Sequence, residues 1–464
     1  MAGKPTLPSR FELVRLLGEG GAGTVWLCHD TKSGNRQVAV KVAPSGHAAS
    51  LALRHEYATL SNLRHPAVPA VHGFETLGDG ACCFALEFID GSTFTEAASS
   101  ERSEFPRLAA EALHALSFIH EFGLLHRDLK PENLIVRRES RRGWRVALLD
   151  FGLAEKRRSA IGEVGGTLRY MAPELFQGAA PTVKSDLFSI GIMFHESLVG
   201  RHPIDVDPAL DLTSYLQALQ TPIKAAAIPP DLPAEAHDWL SSLCNYDPEN
   251  RPSDAREALA ELRGVFGTDV FFETPTARAA LLASGDPPGR HLELQKIYDD
   301  LEGEDLTAFF LMGEAGSGKT RLLNAVRAQK VRDGWEVKSP HDVTIPSDDV
   351  RETASERREL ILVDELENSS PEIAVLLDRL VRRPADGAIK ILAAGRREEV
   401  RDPRIKSLLA DSEFMPTAST LDLNPLDEHG VAAVLERASG GVAHERASLS
   451  GRLLCGLWVE NNVV

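Results

Sequence analysis

The sequence predicts an α+β unit followed by an α/β unit with a parallel sheet, and three observations support this fold class. In the first part of the chain, short β-rich runs such as residues 11–14 and 38–41 precede longer stretches with helical apolar spacing, such as 108–122. Later, the short runs 309–312 and 360–363 are apolar throughout, which is typical of strands buried on both faces of a parallel sheet. The 464 residues allow about three domain-sized units.

Composition favours an ordinary globular protein, with 43% hydrophobic and 26% charged residues. The net charge of -17 argues against nonspecific binding to nucleic acid or to an anionic membrane. The first ten residues lack the apolar core of a signal peptide, and no apolar run approaches the ~20 residues that span a bilayer. Five scattered cysteines without a CxxC pair suit a reducing compartment, so we expect a cytoplasmic location.

The most informative stretch is HRDLKPEN at residues 126–133, which follows a stretch with helical spacing. Asp128 could accept a proton from an attacking hydroxyl, and Lys130 could neutralise charge on a moving phosphoryl group. Asn133 could offer its side-chain oxygen to a magnesium ion, as could Asp150, which ends the next β-rich region. Phosphoryl transfer needs positioning and charge neutralisation, and these groups supply both.

A glycine-rich segment, GEGGAGTV, precedes this loop at residues 18–25. Gly18, Gly20 and Gly23 would let a hairpin backbone approach phosphates closely, because no β-carbon intervenes. A strand at 25–28 follows, rather than a helix, which favours a nucleotide-covering hairpin over a dinucleotide-binding turn.

The next β-rich run ends at Lys41, and the segment 50–63 after it has helical spacing. Glu56 lies on that predicted helix and is the natural ion partner of Lys41. Pro66 stops the helix, since proline cannot continue it.

In this order the segments resemble the protein kinase family, with the catalytic loop in its serine/threonine form. The resemblance covers roughly residues 11–265 and implies a bilobal kinase domain at 11–266. Its smaller lobe would occupy 11–89 and its larger lobe 90–266.

The resemblance also implies a role for each matched residue. Lys41, positioned by Glu56, would hold the α- and β-phosphates of ATP, with Asp128 as the base and Lys130 as the neutralising cation. Asn133 and Asp150 would be the magnesium ligands. Contacts with the rest of the nucleotide would come from Val25, Ala39, Glu87, Ile89 and Ile135.

Structural roles follow from the same resemblance. Glu174 would pair with Arg251, and Asp186 would brace the catalytic loop from beneath. Thr167 would contact the catalytic Asp and Lys. A phosphate on Ser159 would meet Arg127 as a charge-assisted pair, and the alternative is a basic, solvated loop that needs no phosphate.

A second nucleotide motif, GEAGSGKT, begins at Gly313 between a predicted strand and a predicted helix. This is the GxxxxGK[ST] pattern of a P-loop, in which backbone N–H groups and a helix N-terminus cradle phosphates. Gly313 and Gly318 would shape the loop, Lys319 would reach the β- and γ-phosphates, and Thr320 would bind magnesium.

The strand at 360–363 ends in Asp364 and Glu365, which resemble a Walker B pair for magnesium and a hydrolytic water. Arg396 follows another core strand, near where a γ-phosphate sensor could lie. Together these motifs resemble the signal-transduction ATPases of the AAA-like superfamily. We place this domain at 289–464, after a linker at 267–288.

The pattern of a helical lid is missing after the last predicted strand. We therefore expect this domain to be incomplete at its C-terminus, or completed by another chain, and we expect nucleotide binding more than hydrolysis.

The sequence thus predicts an ATP- and Mg2+-dependent serine/threonine protein kinase with a C-terminal nucleotide-binding regulatory module. Its partners would be protein substrates, with self-association for autophosphorylation, and neither nucleic acid nor membrane. The alternative is a nucleotide-switched signalling scaffold with weak or no kinase activity. A third interpretation makes the P-loop domain an independent ATPase motor.

Overall fold

A computed structural model describes most of the chain, namely residues 5–20, 23–44, 46–77, 80–139, 143–150, 167–209, 211–221, 232–267, 284–303, 306–340, 358–382, 389–412 and 414–438. Within these ranges, none of the helices combines the length and apolar character needed to cross a membrane.

The first unit is built on an antiparallel sheet of five strands in the order β1-β2-β3-β5-β4. Its elements in chain order are β1 (Phe11–Gly20), β2 (Gly23–Asp30), β3 (Arg36–Val42), α1 (His47–Ser61), β4 (Val71–Thr76) and β5 (Cys82–Glu87). Side chains of β5 alternate between two apolar clusters, with Phe84 in the cluster that contains α1 and Ala85 in the other. Because both faces of β5 are covered, Cys82–Ala85 are all buried, and α1 is held against one face of the sheet.

The larger lobe is mostly helical and includes a three-stranded sheet in the order β6-β7-β8. Its elements are β6 (Ser92–Thr93), α2 (Phe94–Ser100), α3 (Phe105–Glu121), β7 (Leu134–Glu139), β8 (Gly143–Leu148), α4 (Pro173–Phe176), α5 (Val183–Val199), α6 (Leu212–Leu219), α7 (Glu235–Leu243) and α8 (Ala255–Phe266). The predicted helix is present as α3, whose Leu113 and Leu116 are fully buried. The loop at 126–133 lies between α3 and β7, and β8 ends just before Asp150.

The C-terminal unit is an α/β domain around a five-stranded parallel sheet in the order β10-β11-β12-β9-β13. Its elements are α9 (His291–Glu302), β9 (Ala308–Gly313), α10 (Lys319–Arg332), β10 (Glu336–Lys338), β11 (Glu359–Val363), α11 (Pro371–Arg382), β12 (Ile389–Gly395), α12 (Pro403–Asp411), β13 (Ala418–Leu423) and α13 (Glu428–Ala438). Along β9, Phe310 lies in one apolar cluster and Phe309 in another. The sheet is buried on both faces and its four strand pairs are all parallel, so the predicted parallel sheet is confirmed.

Candidate functional site

Three predicted residues from separate elements meet between the lobes. Lys41 lies on the third strand of the small lobe, opposite Val25 on β2 and Phe84 on β5. Its Nζ donates to both carboxylate oxygens of Glu56 on α1, at 2.6 and 2.9 Å, and to Asp150 Oδ1 at 2.5 Å. The side chains of Lys41 and Glu56 are only 5% exposed, whereas that of Asp150 is 42% exposed. Asp150 is thus the member of the cluster that a ligand in the cleft could reach.

Burial and charge compete in this cluster. Burial alone would lower the pKa of Lys41, but the attraction of the Glu56 and Asp150 carboxylates outweighs it and raises that pKa. Burial favours the neutral acid at Asp150 as well, yet the Lys41 ammonium holds the pKa of this carboxyl below its usual value. Lys41 and Asp150 are therefore both charged near neutral pH, as phosphate and metal binding require.

The catalytic-loop residues form a second cluster. Lys130 Nζ donates to Asp128 Oδ2 at 2.9 Å, and Asn133 Nδ2 donates to the same oxygen at 3.2 Å and to the Asp128 carbonyl at 2.7 Å. The Asp128 side chain is 4% exposed. Because Asn133 uses its amide nitrogen for these bonds, its amide oxygen is the atom that could bind a magnesium ion.

Backbone and side-chain hydrogen bonds join the two clusters. Leu149 N–H donates to the Asn133 carbonyl at 2.8 Å, and the buried His126 ring donates from Nε2 to the Leu149 carbonyl at 3.0 Å. Burial lowers the pKa of His126, so the ring stays neutral. The loop that carries Asp128 is thus fixed directly against the residue before Asp150.

The predicted brace under the loop is present. Asp186, near the start of α5, accepts from His126 N–H at 2.8 Å and from Arg127 N–H at 2.9 Å, and His120 Nε2 lies 2.9 Å from it. Arg127 has a φ of 64°, a left-handed conformation that a non-glycine residue adopts only where its surroundings hold it. The two bonds to Asp186 provide that hold.

The predicted pair of Glu174 with Arg251 also forms. Both terminal guanidinium nitrogens of Arg251 donate to the Glu174 carboxylate at 2.8 Å, and the Arg251 side chain is fully buried. This pair connects the start of α4 to the segment before α8. The predictions for Ser159 fall outside the described residues, as does the Thr167 side chain.

The remaining predicted nucleotide contacts are spread along the strands beside the cleft. Gly18 pairs with Val25 and Gly20 with Gly23 in the hairpin of β1 and β2. Gly23 has a φ of 123°, and a β-carbon there would collide with the Val42 carbonyl. Residues 21 and 22, at the hairpin tip, lie outside the described residues.

The other positions predicted to contact the nucleotide lie on three strands or just beyond one of them. Ala39 on β3 is opposite Leu86 on β5, and Ile135 is on β7 in the larger lobe. Glu87 ends β5 and its carboxylate accepts from Arg137 at 2.7 Å, so its side chain ties the two lobes together. Ile89 follows β5.

The P-loop connects β9 to α10, as the motif predicts. Lys319 begins the helix, and its Nζ donates to the carbonyls of Gly313 and Glu314, both at 2.7 Å. Gly318 has a φ of 95°, which glycine adopts without strain. Thr320 is exposed at the first turn of the helix.

The acidic pair after β11 lies at the same edge of the sheet. Asp364 and Glu365 are exposed, and Glu365 has a φ of 50° with its side chain accepting from Asn368 at 3.1 Å. Burial lowers the pKa of Lys319, with smaller opposing effects from Glu367 and Asp364. Lys319, Asp364 and Glu367 are therefore close enough to interact electrostatically.

Sequence reasoning missed Glu367. Its side chain is 4% exposed. The carboxylate accepts from the side-chain Nε of Arg396 at 2.7 Å and from the backbone N–H of Arg396 at 3.0 Å. Arg396 also pairs with Glu399 at 2.5 Å. A signal was available, because parallel strands place the turn after β11 beside the end of β12, where Arg396 begins the next turn.

Comparisons with known proteins agree with this geometry. A family model described as "Protein kinase domain" matches residues 11–262, more than half of the chain, and one described as "Novel STAND NTPase 5" matches residues 277–406. These matches confirm the predicted order of a kinase domain and a P-loop NTPase domain, both of nucleotide-binding type.

Several curated relatives are similar over the first part of the chain. "Serine/threonine-protein kinase pkn2" of Myxococcus xanthus is 35% identical over 316 residues, 61% of this chain and 38% of that protein. "Serine/threonine-protein kinase PknB" of Mycobacterium tuberculosis is 31% identical over 277 residues, 55% of this chain and 43% of that protein. The PknB of Mycobacterium leprae is 29% identical over 313 residues, 61% of this chain and 48% of that protein. The chain spans less than half the length of each of these relatives.

Proposed function

Because the chain belongs to the protein kinase family, we propose that it transfers the γ-phosphoryl group of ATP to serine and threonine hydroxyls of proteins. The observation that carries this proposal is the convergence of Lys41, Glu56 and Asp150 with the loop of Asp128 and Asn133. The hydrogen bonds of the Leu149 backbone to Asn133 and His126 fix the Lys41 cluster relative to the catalytic loop. The names of the similar bacterial proteins support serine and threonine as the acceptors.

In this mechanism Asp128 accepts the proton of the substrate hydroxyl as the oxygen attacks the γ-phosphorus. Lys130, 2.9 Å from Asp128, lies where its ammonium neutralises charge on the equatorial oxygens of the transferring group. Lys41 holds the α- and β-phosphates, and Glu56 holds Lys41. The burial of the ion pair keeps water from weakening this hold.

The donor set fits Mg2+, which would supply positive charge to neutralise the charge that develops on the phosphates. Magnesium bound with a nucleotide uses one or two protein oxygens, waters and phosphates, rather than a complete protein cage. The ionised Asp150 carboxylate and the Asn133 amide oxygen would supply two such ligands. Among the described residues, no group of three or more His, Cys, Asp or Glu side chains is arranged to hold a metal.

The C-terminal domain supplies a second nucleotide site in the proposal. Gly313, Gly318, Lys319 and Thr320 would bind the phosphates, and Asp364 with Glu365 would hold magnesium and water. The parallel-sheet edge that gathers these residues supports binding. We assign this site a regulatory role and leave hydrolysis out of the proposal.

The proposed division of the chain is a kinase domain at 11–266, a linker at 267–288 and a P-loop domain at 289–464. The lobes of the kinase domain divide at residues 89 and 90. The start of α9 at His291 and the end of α8 at Phe266 support these boundaries.

Asp128→Asn tests the mechanism directly. Asparagine has nearly the same shape as aspartate but cannot accept the proton of the substrate hydroxyl. We therefore expect phosphate transfer from radiolabelled ATP to a basic protein substrate to fall at least about a hundredfold. Phosphoamino-acid analysis of the wild-type product should show phosphoserine and phosphothreonine.

ATP binding by the kinase site should survive in Asp128→Asn, and it is measured in a Lys319→Ala background so that the second site does not contribute. Asp205→Asn, at an exposed aspartate, is the matched control and should leave transfer unchanged. Equal transfer by Asp128→Asn and wild type would refute the assigned role.

A further inference from the structure

The helix that carries Glu56 is covered by the C-terminal domain. Helix α1 packs against α10, the helix that begins at the P-loop lysine. Val331, in the last turn of α10, is 1% exposed and belongs to the same apolar cluster as Leu53 and Tyr57 of α1. The core of the smaller lobe therefore continues into the C-terminal domain.

Arg54 makes the polar part of this contact, two residues before Glu56. Its guanidinium donates to the Trp335 carbonyl at 3.2 Å and to the Val331 carbonyl at 3.4 Å. The Val331 carbonyl lies in the last turn of α10, where the helix dipole favours a cation, and Trp335 lies between α10 and β10.

The same guanidinium is oriented from its own lobe. It donates to Thr76 Oγ1 at 3.1 Å and lies 4.9 Å from the centre of the Phe74 ring on β4. Arg54 is thus held by four groups in a fixed geometry, which a flexible surface arginine would not be.

A second attachment lies just beyond the end of α1. Ser284 is fully buried; its Oγ accepts from Arg64 N–H at 2.6 Å, and Gly285 N–H donates to the Asn62 carbonyl at 2.7 Å. The Ser284 carbonyl in turn accepts from Arg321 at 2.9 Å. Arg321 directly follows the P-loop threonine, so the nucleotide-binding turn is two contacts away from α1.

We infer that the C-terminal domain holds α1 in the orientation that pairs Glu56 with Lys41, and that Arg54 is the positioning residue of this contact. The inference rests on the proposed phosphoryl transfer and names its regulation. Glu56 reaches Lys41 only while α1 stays against the sheet, and α1 is fixed from its outer side by α10. Loosening the contact therefore lowers kinase output, and any ligand that tightens it raises output.

A double-mutant cycle in the full chain tests whether Arg54 acts through Glu56. The four proteins are wild type, Arg54→Ala, Glu56→Gln and the double variant, and kcat and KM for ATP are measured by phosphate transfer to a basic protein. Arg54→Ala should lower kcat/KM about 3- to 30-fold in the wild-type background and less than about 2-fold beside Glu56→Gln. Equal factors in both backgrounds would overturn the inference, because Arg54 would then act independently of Glu56.

Two further variants separate positioning from general packing. Arg54→Lys keeps the charge and should recover part of the loss. Arg64→Ala removes an exposed arginine side chain near the same contact, keeps the backbone N–H that binds Ser284, and should match wild type.

Hydrogen–deuterium exchange gives a readout that needs no kinase activity. Amides of residues 47–61 should exchange faster in full-length Arg54→Ala than in wild type, while those of α3 stay unchanged. Unchanged exchange in 47–61 would refute the docking role even if the kinase activity is present. Conversely, an inactive wild type with the expected exchange difference would refute the proposed function and leave the docking contact standing.

Discussion

At Lys41, burial and opposite charge act in opposite directions on one ammonium group. Burial favours the neutral amine, and two carboxylates within hydrogen-bonding distance more than reverse that preference. An isolated charge at this depth would be costly, so Lys41 depends on its partners for its charge. A single residue type in a motif therefore says little until its neighbours are placed.

His65 illustrates the opposite case, in which burial wins. The ring stacks on Phe118 at 4.4 Å between centroids, and its Nδ1 accepts from Ala67 N–H at 3.1 Å. Burial, with smaller effects from His114 and Arg145, lowers the pKa of His65 from 6.5 to about 4. As the pH falls from 7 to 5, His65 is protonated in the unfolded chain but stays neutral in the folded chain. The free energy of unfolding therefore decreases.

We expect this residue to contribute about 2 kcal/mol to the loss of unfolding free energy between pH 7 and pH 5. His65→Asn keeps a hydrogen-bond acceptor and cannot be protonated. Urea unfolding at both pH values should therefore show a smaller acid-dependent loss for this variant than for wild type. Identical losses in the two proteins would mean that the folded ring is protonated as readily as the unfolded one.

Among single residues, those with a distinctive chemical pattern were predictable. The spacing of Asp128, Lys130 and Asn133 directly indicated a phosphate-transfer loop, and the structure brings the three together. Glu367 lacks such a pattern, because a further acidic residue soon after Asp364 and Glu365 is typical of a solvated turn. Its burial against Arg396 results from the register of β11 and β12, which the sequence does not state.

At the scale of elements, apolar spacing located several helices and strands, but the first strand was predicted too short. Residues 11–14 were expected as a strand, whereas β1 extends over Phe11–Gly20. Gly18 and Gly20 take part in the ladder with β2 rather than ending the strand. Cross-strand pairing overrides the weak intrinsic preference of glycine, because the hairpin partner supplies the hydrogen bonds.

The turn at the end of β12 gives an element-scale prediction about nucleotide discrimination. Arg396 lies near enough to Lys319 to affect its pKa, and it is held by Glu367. A γ-phosphate at this edge would compete with Glu367 for the guanidinium, since phosphate and carboxylate oxygens accept from the same N–H groups. Arg396→Ala should therefore weaken ATP binding at the P-loop about tenfold and ADP binding less than threefold.

Photolabelling with azido-ATP and azido-ADP, followed by mass spectrometry of P-loop-domain peptides, separates this site from the kinase site. The exposed Arg401→Ala is the matched control and should label like wild type. A loss of equal size for both nucleotides would show that Arg396 does not recognise the γ-phosphate.

At the scale of the whole molecule, the contact between the two domains was not predictable from the sequence. Arg54 looks like any solvated helical arginine, and Ser284 lies in a stretch whose composition indicates a linker. Only the fold shows that both are used to join α1 to the C-terminal domain. Motifs report chemistry that one domain must perform, whereas docking depends on surfaces that the motifs do not include.

Ser284→Ala tests whether the linker contact is energetically coupled to catalysis. Removing the buried Oγ leaves Arg64 N–H without its acceptor, which costs about 1–3 kcal/mol of unfolding free energy. Because the same contact anchors the end of α1, kcat/KM for ATP should fall in the same direction as in Arg54→Ala. The double variant should lose less than the product of the two single effects, since both act on one helix.

Ser103→Ala, at an exposed serine in the larger lobe, is the matched control for stability and activity. If Ser284→Ala lowered the unfolding free energy and left kcat/KM unchanged, the linker would merely join the domains. A parallel loss of both quantities would instead make the linker part of the path by which the P-loop domain sets the position of Glu56. By linkage, nucleotide binding at the kinase site would then alter affinity at the P-loop to the same extent that P-loop occupancy alters nucleotide affinity at the kinase site.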